Sequence, residues 1–201
     1  MKLKTLSNLK SKLIKLELIK SKIFQNYSDK FNFKNNFDQL EVYLKKALMI
    51  IFQYHLNNKK ILFIGIPEKA RNKHRQKLKK TKHLFLPESY WIKGLLTNKV
   101  TIFKYIKNRI NASTLSVIKT KQVKNYFLLK KKPNLIVMFN SKFQSPIMKE
   151  AIKLKIPVIA LNPKVRSDRG TLYKIPGNYD CVDKKNNNFF LLLLNSVLKK
   201  N

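Results

Sequence analysis

Residues 133–161 read PNLIVMFNSKFQSPIMKEAIKLKIPVIAL. Two apolar runs, Leu135-Ile136-Val137-Met138-Phe139 and Pro157-Val158-Ile159-Ala160-Leu161, flank a segment from Pro146 to Leu154. Each run is short and does not alternate with polar residues, as expected of a strand covered on both faces. The segment between them suits a helix, with Pro146 near the first turn, where the missing N–H has no intrahelical partner. Strand, helix and strand in this order predict parallel neighbours in a covered sheet.

The same alternation extends outward. Ile61-Leu62-Phe63-Ile64-Gly65 is another short apolar run, closed by glycine. Before it, Leu40, Tyr43, Leu44, Ala47, Leu48 and Ile51 form one helical face. Asp38 and Glu41 are a plausible capping pair at its start, and Asn57-Asn58 ends it. A basic helical stretch is expected from Glu68 to about Lys80, a short strand from His83 to Leu86 ended by Pro87, and a helix from Asn98 to Lys107. Towards the end of the chain, Leu172 to Ile175 is a fourth candidate for a buried strand, before the turn Pro176-Gly177-Asn178, and Phe189 to Lys199 is a helix. The fold class predicted is α/β, a mostly parallel sheet with helices on both faces. At the other end, Leu6, Leu9, Leu13, Leu16, Ile19 and Ile23 recur at helical spacing among lysines. That stripe predicts an amphipathic helix packing on a partner or on the body of the protein, followed by a linker over 26–37. No internal repeat is visible.

Charge supplies the main functional clue. The 201 residues carry 44 Lys+Arg against 10 Asp+Glu, a formal net charge of +34. A hydrophobic content of 44% is enough to fold one sizeable domain. Such a cationic surface repels itself unless a polyanion neutralises it, and nucleic acid does so with release of condensed counterions. An anionic membrane surface is the weaker competitor. Compositional drift in an AT-rich genome also raises lysine and asparagine, but it does not account for the scarcity of acids. The single cysteine, Cys181, has no partner for an internal disulfide and fits a reducing or matrix-type interior. No apolar run approaches membrane-spanning length. Residues 1–27 have the basic character of a mitochondrial transit peptide but contain no arginine.

The sequence offers little to catalysis. Its four glycines, Gly65, Gly94, Gly170 and Gly177, form neither a G-x-G-x-x-G turn nor a P-loop. After the first strand, Pro67 removes an amide and Glu68 would face the phosphate. His55, His74 and His83 have no ligand at i+3 or i+4, so no metal site is expected. His55, late in an apolar helix, reads as a capping or core-edge residue, and His74 as an exposed contact. Asp180 and Asp183 are close in sequence, yet a cap before the last helix explains them equally well. The basic stretch is more informative: Lys69, Arg71, Lys73, Arg75, Lys77, Lys79, Lys80 and Lys82 stand with Glu68 as the only acid. A solvated helix gains from mixed signs at i,i+4, and this one forgoes them, which favours phosphate contact. Tyr90 and Trp91 could stack on a base, but core packing is the simpler reading for the tryptophan.

Three segments carry a resemblance. Lys59-Lys60-Ile61-Leu62-Phe63-Ile64-Gly65 is similar to a K-I-L-F-V-G strand, and Trp91-Ile92-Lys93-Gly94-Leu95-Leu96-Thr97-Asn98 to a W-L-G-G-M-L-T-N signature. Lys132-Pro133-Asn134-Leu135-Ile136-Val137, Lys149-Glu150-Ala151, Ile156-Pro157-Val158-Ile159-Ala160 and Ile175-Pro176-Gly177-Asn178-Tyr179-Asp180 follow a P-D-x-x-x-V, K-E-A, I-P-V-x-A, I-P-G-N-x-D order. Together they resemble the bacterial-type ribosomal protein S-two family of the small subunit, over about residues 38–195. The resemblance implies a flavodoxin-like α/β domain, expected over 38–201; it leaves residues 1–37 unassigned, and their own pattern reads as a basic N-terminal helical extension and linker. It implies contacts with small-subunit ribosomal RNA and other small-subunit ribosomal proteins, and no cofactor, metal, small-molecule substrate, membrane span or reaction.

The chain also departs from the family. Lys93 replaces a glycine of the tryptophan motif. The loop Asn162-Pro163-Lys164-Val165-Arg166-Ser167-Asp168-Arg169-Gly170 is basic where the family is acidic. The family's helical hairpin is reduced to about residues 108–131. These changes, with the lysine enrichment, suggest a mitochondrial matrix ribosome, with a plastid-type organelle or a bacterial cytoplasm as alternatives. On this reading Arg71, Lys73, Arg75, Lys93, Lys99, Arg166 and Arg169 are the expected RNA-positioning contacts, on the basic helix or in loops flanking strand ends. Two other readings stay open, an eroded α/β nucleotide-dependent RNA enzyme and a peripheral membrane protein that uses the amphipathic N-terminal stripe.

Overall fold

The computed structural model describes residues 33–66, 81–87, 90–111, 129, 131–139, 144–161, 173–175 and 189–198. The N-terminal stripe, the basic stretch 68–80, the loop 162–170, most of 108–131, His74 and Cys181 lie outside these. Five strands, β1 (Ile61–Ile64), β2 (Leu84–Leu86), β3 (Leu135–Phe139), β4 (Val158–Leu161) and β5 (Tyr173–Ile175), form one sheet in the order β2-β1-β3-β4-β5. All four pairings are parallel, with Ile61 opposite Leu135, Leu62 opposite Leu84, Ile136 opposite Val158 and Ile159 opposite Tyr173. This is the flavodoxin-like strand order, with its switch point between β1 and β3.

Because neighbouring strand residues point to opposite faces, the two helical layers divide each strand between them. Ile61, Phe63, Leu135, Val137, Phe139, Ile159 and Leu161 pack under α1 (Phe33–Leu56) and α4 (Phe189–Leu198). Leu62, Ile64, Ile136, Met138, Val158 and Ala160 face the other way, towards Trp91, Leu95, Ile147 and Ala151. There α3 (Gln144–Lys153) and the start of α2 (Lys99–Asn111) cover the sheet. β1, β3 and β4 are buried at every position, which explains why they lack polar alternation.

α1 begins at Phe33, five residues before the expected Asp38 start, so part of the expected linker is helical. No proline or glycine interrupts Phe33 to Phe37, and Lys45 Nζ stands 2.6 Å from Glu41 Oε1, which makes Glu41 an i,i+4 partner within the helix. The helix stops as expected, with Asn58 left-handed at φ 54°. α2 continues to Asn111, beyond the expected Lys107.

Gly65 lies where β1 leaves the sheet beside the switch point. Its φ is +79°, its N–H donates to the Leu86 carbonyl at 3.1 Å, and an added Cβ would lie 2.6 Å from the Phe139 carbonyl oxygen. The glycine is needed for close backbone packing between β2 and β3.

Candidate nucleic-acid interface

Of the expected contacts, Lys93 and Lys99 lie within the described residues, while Arg71, Lys73, Arg75, Arg166 and Arg169 lie outside them. Lys93 is exposed on the segment that links β2 to α2, and Lys99 is the first residue of α2 and half-buried. The segment is held from below. Glu150, on α3 and only 7% exposed, accepts the Gly94 N–H at Oε1 (2.7 Å) and the Leu96 N–H at Oε2 (2.9 Å). A carboxylate that receives two backbone donors makes charge-assisted bonds, stronger than neutral ones.

Gly94 adopts φ +87°, and its carbonyl accepts the Asn98 N–H at 2.6 Å, closing a turn. The Asn98 carbonyl then accepts the Ile102 N–H at 3.1 Å, the first bond of α2. Trp91, Leu95 and Leu96 anchor the turn in the core. The tryptophan therefore packs, and its indole N–H meets no hydrogen-bond partner among the described residues. The result is a rigid turn that projects Lys93 into solvent and places Lys99 at the mouth of a helix. Its chemistry is cation presentation.

A second polar arrangement joins residues that the sequence keeps 28 positions apart. His55, at the end of α1, and His83, just before β2, are both buried, with His55 Nδ1 2.9 Å from His83 Nε2. The Ile61 N–H donates to His83 Nδ1 at 3.3 Å, so His83 carries its proton on Nε2 and donates it to His55 Nδ1. His55 is then protonated on Nε2, which has no partner among the described residues. Burial lowers both pKa values, that of His83 to about 4 with a smaller contribution from His55. Among the described residues no third ligand joins the pair; its hydrogen bond ties the end of α1 to the residue before β2. The expectation that His55 sits at a core edge holds; its meeting with His83 had no sequence signal.

The family model for ribosomal protein S2 matches residues 23–198. The chain belongs to the ribosomal protein S2 family. The match begins before residue 38, so part of the expected extension lies within it. Among its curated relatives, the small ribosomal subunit protein uS2 of Chlamydia abortus is 30% identical over 158 residues, covering 69% of this chain and 57% of the relative. The uS2 protein of Anaplasma phagocytophilum is 25% identical, covering 70% of this chain and 54% of the relative. The protein named uS2m in Schizosaccharomyces pombe is 27% identical, covering 73% and 56% respectively. The chain thus spans little more than half the length of these curated relatives. Within the S2 family resemblance, the tryptophan and K-E-A motifs prove to be one structural unit, because Glu150 of the second holds the backbone of the first.

Proposed function

We propose that this chain is a structural constituent of a small ribosomal subunit, binding its ribosomal RNA and neighbouring ribosomal proteins without catalysing a reaction. The observation that carries the reading is the S2 family match over residues 23–198, joined to a formal charge of +34 that needs a polyanion. Lys93 on its braced turn, Lys99, and Arg71, Lys73, Arg75, Arg166 and Arg169 supply phosphate contacts that position the protein without reading sequence. The α/β unit, entered by α1 from Phe33, carries these contacts, the residues before it add a basic extension, and the family's hairpin is shortened over 108–131. The compartment is the mitochondrial matrix, supported by the likeness to a uS2m protein and by the lysine-rich composition.

Sedimentation of a tagged copy from organelle lysate through sucrose at low and moderate salt tests this reading. Co-migration with the small subunit and its RNA is expected at both. Migration at the top of the gradient in both would refute it.

A further inference from the structure

We infer that the amino-terminal edge of the sheet is a second RNA-binding surface, which grips the phosphate backbone of a structured RNA segment. The inference rests on the proposed ribosomal role and concerns residues that none of the expected contacts include. Lys59 and Lys60 precede β1, Lys82 precedes β2, Lys131 and Lys132 precede β3, and Lys155 precedes β4. Parallel pairing brings all these strand starts to one edge.

Hydrogen bonds join the arc across its width. Lys82 Nζ donates to Asn58 Oδ1 at 3.3 Å. The Lys60 N–H donates to Asn134 Oδ1 at 3.0 Å, and the Asn134 N–H returns to the Lys60 carbonyl at 2.8 Å. Lys132 Nζ donates to the Leu154 carbonyl at 2.6 Å, beside Lys155. Four strand starts at about 4.8 Å spacing give a ridge roughly 14 Å wide. All of these lysines are exposed except Lys60, which is half-buried.

No described acid offsets them. Asp38 and Glu41 lie on α1, about 25 Å and about 20 Å along the helix from His55 at 1.5 Å per residue, and Glu41 stands beside Lys45. Both Glu150 oxygens are committed to the tryptophan turn. Helices that run back to this edge, such as α1 and α3, end here with only about half a negative charge each. The ridge is thus strongly cationic. Its own repulsion is modest, because ammoniums about 10 Å apart in water cost roughly 0.4 kcal/mol per pair.

The chemistry of the partner follows from what the ridge contains. Protein interfaces are depleted in lysine and centred on an apolar core, whereas here the exposed apolar residues beside the ridge are Leu56 and Ile152, standing singly on separate helices. A base-stacking platform needs free aromatic faces, whereas Tyr54 is half-buried with Lys59 Nζ 5.3 Å from its ring centroid. Lysine point charges on a row of strand starts fit a phosphate backbone.

The test compares the full chain with the triple variant Lys59→Gln, Lys131→Gln, Lys155→Gln, and with the charge-matched variant Lys46→Gln, Lys104→Gln, Lys149→Gln on exposed helix positions. Binding to a small-subunit ribosomal RNA transcript is measured across salt concentrations. The edge variant should lower the salt slope by about one per lysine, near three in all, and the helix variant by less than one. Equal losses would overturn the inference. In assembled subunits, cross-links from Lys59, Lys131 or Lys155 should reach nucleotides; cross-links to carboxylates of a neighbouring protein instead would also overturn it. A wild-type chain that co-migrates with the subunit while both variants bind alike refutes this inference alone. A chain that stays out of the subunit, yet shows the edge effect on the transcript, refutes the ribosomal role alone.

Discussion

Glu150 and Gly94 lie 56 positions apart in the sequence, and the carboxylate of the first accepts the backbone N–H of the second at 2.7 Å. With the matching bond to Leu96 at 2.9 Å, one buried side chain links α3 to the turn that starts α2. Removing it orphans two amides and opens a cavity. Glu150→Ala should cost about 3–5 kcal/mol, and Glu150→Gln, which keeps one acceptor oxygen, about 2 kcal/mol. Urea unfolding of both variants checks the ranking. Wild-type stability in Glu150→Ala would mean that the turn holds its shape unaided.

The two glycines with positive φ should differ in their tolerance of a methyl group. At Gly94 an added Cβ would meet Asn98 Cβ and Ile102 Cδ1 at 3.5 Å, ordinary contact, so the cost of Gly94→Ala comes from φ alone, about 1–2 kcal/mol. At Gly65 the methyl would be forced into the Phe139 carbonyl, a backbone atom that cannot swing away. Gly65→Ala should therefore separate β1 from β3 and lose most of the stability. Denaturation midpoints of the two variants decide this, and equal midpoints would contradict the close approach at Gly65.

Lys93 and Lys99 provide a test of the braced turn as an RNA contact. Lys93→Gln removes a charge from an exposed side chain, so the unfolding free energy should change by less than about 0.5 kcal/mol. RNA binding should nevertheless weaken, with a salt slope smaller by about one, and Lys99→Gln should add a similar decrement. The two readouts together distinguish a phosphate contact from a structural role. Binding curves that superimpose on those of the wild-type chain would remove these residues from the interface.

How much of this was legible in the sequence depended on what each residue touches. The strands were legible because burial on both faces writes itself as an uninterrupted apolar run, as in Leu135 to Phe139. The start of α1 was not, because Asn35 and Asn36 favour turns on propensity while the hydrophobic face beyond them carries the helix through. Trp91 was readable as core because a lone large aromatic beside apolar residues most economically packs. The roles of Glu150 and the histidine pair were hidden, since each acts on a partner that only the sheet order brings near. The lysine ridge was equally hidden. Its members are scattered singly or in pairs from Lys59 to Lys155, and only parallel register gathers them.

The histidine pair predicts how stability depends on pH. Both imidazoles are neutral in the folded chain, with His83 lowered to about 4 and His55 also lowered, whereas in the unfolded chain each titrates near 6.5. Between those values the unfolded state binds more protons, so acid favours unfolding. The stability from keeping them neutral is fully present above pH 6.5 and is lost as pH falls towards 4, by an amount on the order of 3 kcal/mol for His83. The hydrogen bonds give the mechanism. A second proton on His83 would sit on Nδ1 against the Ile61 N–H, and one on His55 Nδ1 would face the His83 Nε2 proton. Urea unfolding at pH 7.5, 6 and 4.5 should therefore show a steady loss. His83→Asn should start less stable, because the link to His55 is broken, but its stability should fall less steeply with acid. An equal pH slope in the two proteins would assign the acid sensitivity to other groups.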